Sequence, residues 1–191
     1  MDEARAGVGH TEHRVGRRSR LGEVVVAVSG WAIAVGAVAT VHLDSRPVHE
    51  AALFAHLVFL VVGFGGVIVV DVHGLLWVLG RRTAGELVAM STATHGLIAA
   101  GVAGLLVSGA VLHPDLASSA ARLKLTLVLI IVLNGVNARR FATELRAIPH
   151  QVGGDAIPWE YLPRAFTIAA LSQAAWWGAL VIGFLTSASG Q

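Results

Sequence analysis

Three ionisable side chains, His56, Asp71 and His73, lie within one apolar run, Glu50–Leu79, EAALFAHLVFLVVGFGGVIVVDVHGLLWVL. Each is costly in hydrocarbon, and such groups face a bundle interior, a cavity or a cofactor, so all three are site candidates. With a rise of about 1.5 Å per residue, His73 falls at the same depth as His95 of the next apolar run. Asn134 and Asn137 come to that level from the fourth run, and Gln173 from the fifth. Asp71, His73, His95, Asn134, Asn137 and Gln173 therefore form one expected polar layer. Its chemistry has three readings: a b-type heme held by His73 and His95, a proton or divalent-cation path, or packing alone. In the path reading Asp71, His73 and His95 carry the ion, with Asn134, Asn137 and Gln173 beside them. Asp71 and His73 are two residues apart and point about 200° apart, so one site cannot take both directly. Either Asp71 reaches another helix through Asn134, Asn137 or Gln173, or His73 faces the inner headgroups. Asp71 is then an ion-site carboxylate, one satisfied by neighbouring amides, or one kept neutral by burial.

A second group, His42, Asp44, His49, Glu50, His56, His113 and Asp115, gathers near the opposite end of the runs. Imidazole suits copper and zinc, so His42, His49, His56 and His113 are candidate metal ligands. His49 and His56 share a helical face if the second helix starts early enough. Pairing His56 with His113 as well as His73 with His95 would stack two hemes. His56 and His73 are seventeen residues apart, however, and sit about 100° out of register. A single heme between His73 and His95 is the stronger form.

The elements that must position these residues are membrane helices. The chain has 191 residues, 55% hydrophobic and 14% charged, with a mean hydropathy of +0.70. A soluble domain carries charge on about a quarter of its residues. Five spans are expected, at about 21–43, 50–79, 86–112, 120–141 and 164–187, forming one all-α membrane bundle over 21–188. Residues 1–20 read as a basic, flexible tail. RRSR before the first span and AVGAVAT within it allow a signal-peptide reading, but the apolar stretch is too long for one. The glycines, 22 in all, suit close helix approach: Gly63, Gly65 and Gly66 on the second span, and a Gly96, Ala100, Gly104, Ser108 stripe on the third. No cysteine is present, which excludes thiolate zinc, iron–sulfur and thiol chemistry.

Lys and Arg concentrate in the tail, at Arg81 and Arg82, and from Arg139 to Arg164, against Arg46, Arg122 and Lys124 at the other end. The positive-inside rule then places the N-terminus in the cytoplasm and the C-terminus outside the plasma (inner) membrane. The basic pI near 9.9 reflects these arginines at helix ends, with a net charge of only +2, and implies no nucleic-acid partner. Trp77 and Trp159 suit an interfacial belt, whereas Trp31, Trp176 and Trp177 lie deeper, where core packing is their expected role.

The runs AHLVFLVVGFGGVIVVDVH, LKLTLVLIIVLNGVNARR and SQAAWWGALVIGF resemble small bacterial membrane proteins of the copper-resistance-D and cytochrome-b561-like kind. The resemblance implies a histidine-bearing helical bundle that handles heme electrons or copper, working with another membrane subunit or redox partner. The chain departs from a four-ligand cytochrome, because its fourth and fifth spans contain no histidine.

Overall fold

A computed structural model describes residues 21–37, 45–112, 115–146 and 159–188. These form five helices and, among the described residues, no strand: α1 (Leu21–Ala37), α2 (Arg46–Val78), α3 (Ala84–Val111), α4 (Ser119–Arg146) and α5 (Leu162–Ala188). The last follows a 3-10 turn at Trp159–Tyr161. Helices α2 to α5 are each long and apolar enough to cross a membrane. The described part of α1 is shorter, and residues 38–43 of its expected span lie outside the described residues, as does the 1–20 tail.

Local chemistry sets the helix ends. Ser45 starts α2 by accepting a hydrogen bond from the Val48 N–H at 3.3 Å, with Pro47 in the first turn, where its missing N–H costs nothing. The helix thus starts four residues before the expected Glu50, and His49 belongs to it. Gly80, at φ 69°, ends α2 in the left-handed conformation that lets its N–H reach Trp77 O and the Arg81 N–H reach Leu76 O. Thr83 and Glu86 then cap α3 reciprocally, at 3.1 and 2.8 Å. Helix α4 runs past the expected residue 141 to Arg146. Phe141 and Leu145 are buried with Val88, with Tyr161 packed against them, which holds the last turn where hydropathy has already fallen.

Helices α2 and α3 form one antiparallel hairpin, and α4 packs on α5. Gly63 and Gly101 bring the α2 and α3 backbones together: a Cβ on Gly101 would stand 2.6 Å from Gly63 N and 3.0 Å from Phe59 O. Gly66 receives Ile98, and Gly104 receives the Phe59 ring. The small-residue stripe on α3 is therefore Gly101, Gly104 and Ser108. Gly96 has nothing within 4 Å and Ala100 is exposed, because the expected spacing of four drifts off a 3.6-residue turn. Gly65, between the two contact glycines of α2, also meets nothing. Helix α1 lies antiparallel to α4 through Trp31 Nε1–H, which donates to Leu125 O at 3.2 Å, and a Glu23–Arg140 ion pair at 3.2 Å.

The outer surface is apolar. Phe54, Val61, Phe166 and Phe184 are each at least 70% exposed, a covering that water solvates poorly and acyl chains solvate well. Trp77 departs from its expected belt position, being 6% exposed inside the bundle.

Candidate ligand site inside the bundle

The expected polar layer divides into three separate contacts. Asp71 turns toward α5, where the Gln173 side-chain N–H donates to its carboxylate at 2.6 Å. The other half of that amide is also used, since Gln173 Oε1 accepts from Trp177 Nε1–H at 2.9 Å. Trp177 in turn stands edge-on to Phe64. Asn134 is buried and donates to Ile168 O at 2.9 Å, tying α4 to α5. Asn137 accepts from Arg164 at 3.4 Å, and Arg164 also pairs with Glu144 and lies 5.1 Å over the Phe141 ring. The side-chain amides in this layer thus serve as cross-links between helices.

His73 is half-buried, and its Nδ1 lies 2.8 Å from Val69 O of its own helix. A carbonyl only accepts, so Nδ1 carries the proton and Nε2 holds the free lone pair of the neutral ring. His95 is also half-buried, and its charged neighbour is Arg139 on α4. On the helical wheel His73 sits about 20° from Gly66, on the face that meets α3. His95 sits about 20° from Val88 and Val102, the face of α3 turned to α4 and α5. Of the four histidines of the second group, His49 is exposed in the first turn of α2, while His42 and His113 lie outside the described residues. Among the described residues, no group of three or more His, Asp or Glu side chains could hold a metal ion.

His56 has the most constructed setting. Its Nδ1 is 2.9 Å from Ser108 Oγ, across the α2–α3 seam. The Ser108 hydroxyl has one proton and gives it to Gly104 O at 2.6 Å, so toward His56 it accepts. The imidazole therefore donates from Nδ1, and in a neutral ring Nε2 is the nitrogen left as acceptor. Gly109 packs against the ring, a Cβ there standing at ordinary contact, 3.5 Å from His56 Cε1.

This histidine lines a cavity of about 480 Å³ to which all five described helices contribute. That volume falls in the range of about 300–1,000 Å³ typical of small-molecule sites. Its walls are almost wholly aliphatic, from Ala34 on α1 to Leu180 on α5. Lys124 of α4 and Ser187 of α5 join His56 as the other polar side chains on the lining that hold an ammonium or hydroxyl. Trp176, 2% exposed and stacked on Phe64 at 5.5 Å, also borders it. The Trp176 Nε1–H is buried and has no hydrogen-bond partner among the described residues.

Lys124 carries no candidate role in the sequence reading, where it enters only as a charge that sets orientation. Its signal was its position, five residues inside an apolar helix in the run LKLTLVLIIV. No protein-family model, curated protein or solved structure matches this chain.

Proposed function

We propose that this chain is a multi-pass membrane protein that holds a hydrophobic small molecule in the cavity beside His56. The observation that carries the reading is the cavity itself: apolar walls from five helices around one imidazole fixed by Ser108. Small-molecule sites combine such apolar enclosure with a few fixed polar groups. Four helices of spanning length and an apolar outer surface support the bilayer as its surroundings. The arginines at one end of the bundle support the orientation with the N-terminus cytoplasmic, in the plasma membrane.

One observation favours a second reading, electron transfer through a b-type heme. His73 donates from Nδ1 to a backbone carbonyl, the arrangement that orients an imidazole to ligate through Nε2. His73 and His95 are the residues that would hold the heme iron. The heme would supply one-electron chemistry, while α2 would fix the ring and the apolar helices would exclude water.

Protein purified in mild detergent from heme-replete cells separates these readings in one sample. Extraction with organic solvent and mass spectrometry should return near one equivalent of a hydrophobic molecule per chain. An oxidised-minus-reduced visible spectrum of the same sample tests the heme. Sharp Soret and α bands lost in His73→Ala support heme at that site. A colourless sample rejects heme, and a sample with no bound molecule of any kind rejects the cavity reading.

A further inference from the structure

Resting on the cavity reading, we propose that the occupant is a single-chain amphiphile with one carboxylate head group, and that Lys124 is its counter-ion. Among the described residues Lys124 has no ion pair or hydrogen bond, whereas Arg46, Arg82, Arg140 and Arg164 each pair with a glutamate. An ammonium facing aliphatic walls is unfavourable unless an anion joins it. Arg46 and Glu50 are paired with each other at the surface, and the described Asp115 is exposed and accepts from Ala117 N–H. The chain's described carboxylates therefore leave the place beside Lys124 open.

The shape agrees with the charge. His56, Lys124 and Ser187 all lie toward the end of the bundle away from Arg139, Arg140 and Arg164. The lining then continues inward along α5 from Ser187 to Trp176, about 16 Å at 1.5 Å per residue. Ile131 and Trp176 close the deep part with apolar surface. One polar end and one long aliphatic end describe a head group and an acyl chain. The head group carries a single charge, since the lining offers one ammonium and no guanidinium fork of the sort that recognises phosphate. His56, with Nδ1 committed to Ser108, leaves Lys124 as the group that meets the carboxylate.

The test uses the full chain in lipid nanodiscs of zwitterionic lipid, with empty discs subtracted. cis-Parinaric acid and its methyl ester share one chain and differ in the carboxylate, and both accept energy from tryptophan. The wild type should bind the acid at least about tenfold more tightly than the ester, the worth of one desolvated charged contact. Lys124→Met should bind acid and ester alike, at the wild-type ester affinity, which also shows that the cavity has folded. Lys124→Arg should keep the preference for the acid. Equal binding of acid and ester by the wild type overturns the counter-ion proposal and leaves the cavity reading standing. An undiminished acid preference in Lys124→Met overturns it too. Binding of neither probe rejects the cavity reading itself. Stronger competition by dodecyl phosphate than by laurate replaces the carboxylate with a phosphate and overturns the proposal as stated.

Discussion

Gly101→Leu is expected to disrupt the α2–α3 hairpin, lowering stability by about 3 kcal/mol, the upper end for overpacking a tight interface. The reason is backbone, not side-chain, crowding. A Cβ there would stand 2.6 Å from Gly63 N and 3.0 Å from Phe59 O, and neither atom can rotate away. Gly101→Ala already places that Cβ, so it should lose stability despite a helix-propensity gain of about 1 kcal/mol. Gly96→Leu is the matched control five residues earlier on the same helix. Its Cβ would meet nothing within 4 Å, so the change should stay within about 0.5 kcal/mol or stabilise. Thermal unfolding of the detergent-solubilised variants measures the contrast. Equal midpoints for the two leucine variants would show that the glycines do not form the seam.

Trp176→Ala should cost about 3–5 kcal/mol, the range for removing a buried large aromatic side chain. The lower part of the range is the better expectation. In lipid the unfolded reference is also apolar, so the lost transfer energy is small and the lost packing dominates. That packing is with Phe64, Val67, Ile131 and Ala175, the central cluster joining α2, α4 and α5. Trp176→Phe keeps the ring and removes the unpartnered Nε1–H, which costs about 1–3 kcal/mol while buried and unpaired. It should therefore stay within about 1.5 kcal/mol of the wild type. Unfolding midpoints decide: a phenylalanine variant as damaged as the alanine variant would mean that the indole N–H has a partner.

The two variants probe features that the sequence conveys unequally. Depth along a helix accumulates in one direction and is legible from spacing: Asp71 and Gln173, expected at one level, meet in a hydrogen bond. Azimuth was not, because which face of each helix meets which neighbour depends on the whole packing. Asp71 selects Gln173 from three possible amide partners, and Asn134 ignores side chains for the Ile168 carbonyl. The approximately 200° between Asp71 and His73 was readable from spacing alone, and the two groups do turn to different partners. The same limit shifted the α3 stripe from Gly96 and Ala100 to Gly101.

Helix existence was legible from hydropathy, and helix ends were not. Ser45, the Thr83–Glu86 capping box and the buried Phe141 and Leu145 each move a boundary by a few residues. None of the three changes the apolar average of its run. The cavity was invisible for a different reason. It is bordered by Ala, Gly, Leu and Val, residues that fill or line a bundle equally well. Its polar markers are His56, which the sequence offers as a metal-ligand candidate, and Lys124, a charge five residues inside α4 that the sequence offers only as a flank.

The central claim, that the cavity beside His56 holds a molecule, is tested most directly by filling it. Ala179 is a half-buried lining residue of α5, so Ala179→Phe places a ring in the space. Wild type and variant would be released from lipid nanodiscs and weighed by native mass spectrometry, with unfolding midpoints compared beforehand. The wild type should retain one small non-covalent adduct, and the equally stable variant should fly without it. An adduct undiminished in Ala179→Phe would place the ligand elsewhere, and a wild type that never carries one would contradict the account outright.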